Sequence, residues 1–198
     1  ATLEALRQPL EDGRVAIARA RGSTVYPARF MLVAATNPCR CGYAGDGERC
    51  ACSESDLARH RRHLSGPLLD RIDLLVNFDG TRSAVLDATP LVSSKTAREA
   101  VARARERQAA RLKSDGLVVN ADMGVRVLRR HARLDEKGDA MLSDARRRGM
   151  LSARGEHRVL RVARTVADLN ASGRVRPIDL GVAIAMRSDA ASAGGSVA

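Results

Sequence analysis

The chain has 198 residues, enough for one or two domains with real cores, and it contains no Trp, two Tyr and two Phe. Its core must therefore be built from Ala, Val, Leu, Ile and Met. The formal net charge is +11, no apolar run reaches the roughly 18 residues of a membrane-spanning helix, and no basic-then-apolar signal opens the sequence. No membrane-spanning helix is expected, the four Cys lie within 14 residues as a cluster rather than a scattered disulfide framework, and the cytoplasm is the expected location. The basic excess lies almost wholly in residues 81–198 and is almost all Arg; only Lys95, Lys113 and Lys137 are lysines. Arg suits phosphate recognition through its fork of donors. The same charge also fits solvated helix faces, so a polyanionic partner such as DNA is one of two readings at this point.

Residues 2–10 read as a short helix with Leu3, Leu6 and Leu10 on one face, followed by a turn at Glu11-Asp12-Gly13. The sequence enters this pattern directly at Ala1-Thr2-Leu3, as though it starts inside a domain. Residues 14–20 alternate as a strand, Arg21-Gly22-Ser23-Thr24 forms a hairpin tip, and Val25-Tyr26-Pro27 returns. Residues 30–36 then form an apolar run that ends in Asn37-Pro38. Such a run reads as a strand buried on both faces of a parallel sheet. Pro38 cannot extend the ladder. Asn37 either starts a turn before Pro38 or presents its amide at the carboxyl end of a buried strand, where α/β sheets bind ligands.

Residues 38–56 form a loop rich in Cys and Gly. Cys39, Cys41, Cys50 and Cys52 fit the pattern C-x-C-x8-C-x-C. Two close pairs of thiolates suit a tetrahedral zinc site; the alternative is reduced thiols in a flexible loop. Residues 57–64 read as a short basic helix, to which His60 and His63 are assigned rather than to the metal set. Arg71 lies in Leu68-Leu69-Asp70-Arg71-Ile72-Asp73, ahead of a second expected buried strand at residues 74–78. It is either half of a surface ion pair or a guanidinium aimed at a transferring phosphoryl group.

A connector at residues 81–93, with Pro90, separates residues 1–80 from a helical region at 94–188. In that region residues 96–112 are expected to bury Ala97, Val101, Ala104, Ala109 and Leu112. Asp122, Asp135 and Ser152 are placed as caps of three further helices, the last with a face of Val159, Val162, Val166 and Leu169. Pro177 opens a final helix with Ile178, Val182 and Met186 inward. Residues 189–198 are Ser/Ala/Gly-rich and expected to be a disordered tail. Arg154, in the first turn after Ser152, opposes the helix dipole, so it either meets an external anion or is a solvated Arg on a basic helix; Arg161 is the fallback on the same helix, with the same two readings.

Several of these pieces together resemble the magnesium-chelatase-like AAA+ ATPases of the ComM/YifB family. They are Arg7-Gln8-Pro9-Leu10-Glu11-Asp12-Gly13, Tyr26-Pro27-Ala28-Arg29-Phe30, Val33-Ala34-Ala35-Thr36-Asn37-Pro38-Cys39, Cys41-Gly42-Tyr43 and Ser65-Gly66-Pro67-Leu68-Leu69-Asp70-Arg71-Ile72-Asp73. Leu151-Ser152-Ala153-Arg154 and the run from His157 to Thr165 continue the match. The resemblance implies an α/β fold: a partial AAA+ core with parallel-sheet strands and a pre-sensor-1 hairpin, followed by an all-α lid. It implies that Asn37 is sensor 1, Arg71 an arginine finger acting in trans, and Arg154 or Arg161 the lid's sensor 2. It also implies that Arg19 and Arg21 on the hairpin touch a DNA backbone in the pore of a ring, most simply a hexamer.

The sequence has no G-x-x-x-x-G-K-[ST] and no apolar strand ending in paired acids. The expectation is a C-terminal part of a longer ATPase, with ATP and Mg²⁺ held largely by groups outside it and little hydrolysis by these residues alone. Three functions compete: a DNA-translocating motor of transformation or recombination, a chelatase-type ATPase that remodels a protein partner, and a non-catalytic DNA-binding or assembly module.

Overall fold

In the computed structural model, residues 3–20, 22–44, 47–62, 66–76 and 92–194 are described. The chain divides into two compact units, one of Ala1–Ile72 with Ala190–Ala198 and one of Asp73–Asp189. The division falls ahead of the expected 81–93 connector, most of which lies outside the described residues.

In the first unit a 3₁₀ turn at Leu3–Leu6 leads into helix α1 (Arg7–Asp12). Gly13 ends it with φ +65°, and its N–H donates to the Pro9 carbonyl. A side chain at Gly13 would be strained by that φ, and its Cβ would lie 3.0 Å from Arg29 Cγ. Strands β1 (Arg14–Arg19) and β2 (Gly22–Pro27) pair antiparallel from Arg14↔Pro27 to Arg19↔Gly22. Gly22, Ser23 and Thr24 therefore belong to the ladder, and the tip is shorter than the composition of the turn implies. Two short helices complete the unit, α2 (Glu54–Arg62) and α3 (Gly66–Leu69). Leu68 and Leu69 of α3 are buried, and α3 packs on the Leu3–Leu6 turn.

The expected order, a part with β-structure followed by a helical part, holds. The parallel strands do not appear: among the described residues the sheet is the β1–β2 hairpin alone. Residues 28–37 carry no strand assignment, and Met31 and Val33 are 87% and 81% exposed. An apolar run becomes a buried strand only where a neighbouring strand satisfies its backbone and helices cover its faces; no described residues supply either. Residues 74–76 likewise form no strand, and Leu74 and Val76 are exposed. Residues 77 and 78 lie outside the described residues.

The second unit is helical: α4 (Ser94–Leu112), α5 (Val125–His131), α6 (Glu136–Arg147), α7 (Ala153–Leu169) and α8 (Pro177–Gly194) as far as Asp189. Ser93, Asp135 and Ser152 cap α4, α6 and α7 by accepting from the N–H groups of Thr96, Gly138 and Gly155. Asp122 is no cap; it lies in a 3₁₀ turn, Asn120–Asp122, and α5 starts after Gly124 without a side-chain cap. The helix α8 runs to Gly194, into the stretch expected to be a tail, where its Ala residues favour helix.

The core joins Leu112, Met123, Leu128, Leu142, Leu151, Val159, Leu160, Ala163, Ala167, Val175, Leu180 and Ala183. Ala104, Leu112 and Val159 are buried as expected, but the faces are otherwise rotated from those expected. Helix α4 buries Ala104, Gln108 and Leu112 while Val101 is exposed. Helix α7 buries Val159, Leu160, Ala163 and Ala167 while Leu169 is exposed, and α8 buries Leu180 and Ala183 while Ile178 is exposed.

The rotation has a polar cause. Asp168 of α7, 1% exposed, accepts from Arg111 at 2.5 and 2.8 Å, from Arg164 at 2.9 Å and from Asn120 at 2.9 Å. Gln108 accepts from the Asn120 N–H at 3.3 Å. A buried carboxylate so surrounded requires that its partners face inward with it.

Candidate metal centre and functional residues

Asn37 leads directly into Pro38 and Cys39, and Cys39 is buried. The Gly42 N–H donates to the Cys39 carbonyl at 3.1 Å, which turns the chain and brings Cys41 beside Cys39. Arg49 stacks 4.9 Å from the Tyr43 ring centroid, so the loop folds back and returns Cys50 and Cys52 to the first pair. The Sγ atoms lie 3.3 Å apart for Cys39 and Cys41, 3.7 Å for Cys41 and Cys50, and 4.0 Å for Cys39 and Cys50. All four lie within 4.8 Å of one another.

These distances are too long for disulfides, and all four cysteines are free. They fit a metal. Four thiolates at the usual zinc–sulfur length form a tetrahedron with edges of about 3.8 Å. Arg40, Cys41, Ala51, Cys52 and Asp56 line a depression beside the cluster, giving a path inward.

The electrostatics of the cluster agree. The Tyr43 backbone N–H, with the Cys39 thiol, brings the Cys41 thiol down to about 6. At Cys52 the Cys41 backbone N–H acts downward, but the Cys41 thiol, burial and Cys39 outweigh it and raise the group to about 11. Cys50 is raised as well, its downward bond from Cys52 outweighed by burial and the neighbouring thiols. One thiolate forms readily and the next resist, because like charges crowd together. A bound dication reverses that penalty.

Cys52 leads straight into α2. Ser53 Oγ accepts from the Asp56 N–H at 3.2 Å, and Asp56 accepts from Ser53 N–H at 3.3 Å and Ser53 Oγ at 2.6 Å. This reciprocal capping starts the helix three residues earlier than expected. The Ser53 hydroxyl and N–H also hold the Asp56 carboxyl below its ordinary range. Further along α2, His60 Nε2 lies 2.8 Å from the Asn37 carbonyl oxygen. A carbonyl only accepts, so Nε2 carries the hydrogen. His60 therefore does more than complete a basic helix face. The available signal was the Ser53-x-x-Asp56 box, which puts Asp56 and His60 on one side of the helix.

Arg19 is exposed at the end of β1, opposite Gly22; Arg21 lies outside the described residues. Arg71, half-buried, donates to the Pro67 carbonyl at 2.7 Å and is paired with Glu11. Nothing in the sequence pointed to Glu11, which is sixty residues away. Arg154 is exposed in the first turn of α7. Arg161 on the same helix donates from Nε to the Met123 carbonyl at 3.0 Å, and burial, with Arg158 nearby, lowers its pKa. Arg158 is paired with Asp73 at 2.7 Å. The cysteines are brought together, as are Asn37 with His60 and Arg71 with Glu11. Among the described residues, no helix is long and apolar enough to cross a membrane.

Comparison with known proteins matches residues 1–86 to the family model of magnesium chelatase, subunit ChlI, and residues 92–187 to that of the ChlI C-terminal region. An uncharacterized protein of Mycobacterium tuberculosis is 45% identical over 175 residues, which is 88% of this chain and 34% of that protein. YifB of Escherichia coli, also uncharacterized, is 36% identical over 94% of this chain and 36% of its own length. Competence protein ComM of Haemophilus influenzae is 36% identical over 94% of this chain and 36% of its own length. The chain spans about a third of the length of these relatives.

Proposed function

The chain belongs to the magnesium chelatase ChlI family that includes YifB and ComM, and from that premise we propose that it is the sensor, finger and lid portion of an AAA+ ATPase that moves along DNA. The observation that carries this reading is the run of two family matches in series, with a competence protein among the relatives. The basic excess of the chain supports DNA over a protein partner.

In this reading Asn37 orients the attacking water against the γ-phosphate of ATP-Mg²⁺. Arg71 leaves Glu11 and reaches the nucleotide of a neighbouring subunit in a ring, most simply a hexamer. Arg154 is the lid's cation. Its place in the first turn of α7 supports it, with Arg161 further along the same helix as the alternative. Arg19 and Arg21 meet the DNA backbone at the hairpin tip. Residues 1–80 and 94–188 form the core and lid portions, joined by 81–93. The four cysteines hold one zinc ion, a closed structural site with no position left for substrate. The cytoplasm suits both free thiols and DNA.

DNA-stimulated ATP hydrolysis by the assembled protein tests the proposal. Stimulation supports the translocase. Hydrolysis indifferent to DNA and raised by a protein partner favours the remodelling ATPase.

A further inference from the structure

The cysteine cluster, α2 and Asn37 form a closed circuit. From Asn37 the chain passes through Pro38 to Cys39, crosses the thiol cluster to Cys52, and enters α2 at the Ser53–Asp56 box. It returns through His60 Nε2 to the Asn37 carbonyl. Pro38 adds its own restriction, holding the residue before it in extended backbone. We propose that this circuit positions Asn37, with metal at the four cysteines as its keystone and His60 as the positioning residue. The inference rests on the reading of the cysteines as a zinc site and of Asn37 as a residue that meets the nucleotide.

The physical argument concerns entropy. Among the described residues no strand pairs with residues 28–37. What the described residues add is a hold on Asn37 from the C-terminal side, through the loop and helix attached there. Without a cross-link the ends of the Cys39–Cys52 loop separate at the cost of a few weak thiol contacts. Ser53 and α2 then drift from Pro38, and His60 loses its acceptor. A metal bound by all four thiolates fixes the start of α2 relative to Cys39. The second turn of the helix then carries His60 to the carbonyl with little freedom left to lose. Metal occupancy and the His60 hydrogen bond should therefore act as one coupled unit.

Amide hydrogen exchange of the segment 35–42, measured on the whole chain together with zinc content, tests this. His60→Ala is expected to keep its zinc and to exchange there about fivefold faster, in keeping with the loss of one hydrogen bond. His60→Gln, whose side-chain amide can donate to the same carbonyl, is expected to restore slow exchange. Stripping the metal should speed exchange in the wild type but add little in His60→Ala. If zinc is bound and His60→Ala exchanges like the wild type, the positioning role is wrong while the metal reading stands. Equal acceleration by chelation in both proteins also overturns it. If no zinc is bound at all, the metal reading fails and this inference falls with it.

Discussion

The Arg71 guanidinium is held by the Glu11 carboxylate, and it also donates to the Pro67 carbonyl in the turn before it. The pair therefore ties the end of α1 to the segment after α3. Glu11 is 40% exposed, so the pair contributes little to stability, under about 1 kcal/mol. Glu11→Gln should leave urea denaturation of the chain nearly unchanged. On the proposal that Arg71 is an arginine finger, Glu11 would compete with the phosphate for it, and Glu11→Gln should leave ATP turnover of the assembled protein equal or higher. A fall in turnover would mean that Glu11 holds Arg71 in its working position.

Purified chain should carry about one zinc per molecule, and Cys50→Ser with Cys52→Ser should abolish it, as expected of a four-thiolate site. Metal analysis by mass spectrometry decides the matter. Zinc retained by the double variant would show that the metal sits elsewhere.

Arg19→Ala with Arg21→Ala should weaken DNA binding and flatten its salt dependence. Two lost phosphate contacts reduce the slope of log affinity against log salt by about 1.8 on duplex DNA and about 1.4 on single strands. Fluorescence anisotropy at several salt concentrations reads both quantities. An unchanged slope removes the hairpin from the DNA interface.

The helical unit should lose part of its stability in acid through Asp179. Arg176 donates to this buried carboxylate from its side chain and backbone, and Asn170 adds a third donor, holding the group down to about 2. A carboxyl depressed in the folded state stabilises fully above its unfolded pKa, and the benefit is lost as pH falls through the folded one. The contribution is complete above about pH 4 and disappears towards pH 2. Circular-dichroism melting across that window should show a shallower pH dependence in Asp179→Asn than in the wild type.

Local features were legible in the sequence and packing features less so. Ser152 and Asp135 were recognisable as caps, because a capping oxygen needs only its next three residues. The cysteine cluster was legible from spacing for the same reason. The buried face of α7 was legible only at Val159, because Asp168 faces inward to Arg111 of α4 and Asn120, and Arg164 to Asp168 and the Ser172 and Gly173 carbonyls; apolar periodicity cannot register a polar network. Residues 30–36 misled in the opposite sense. Their composition suits a buried strand, yet burial depends on layers that no described residue provides. The Glu11–Arg71 and His60–Asn37 links join residues far apart in the chain, and no local pattern encodes them.

The most direct test of the central claim is ATP turnover by an assembly that contains these residues and a phosphate-binding loop, comparing wild type with Arg71→Ala. The account predicts a loss of about a thousandfold, the low end for an arginine finger, with nucleotide affinity kept. Turnover that survives Arg71→Ala would contradict it.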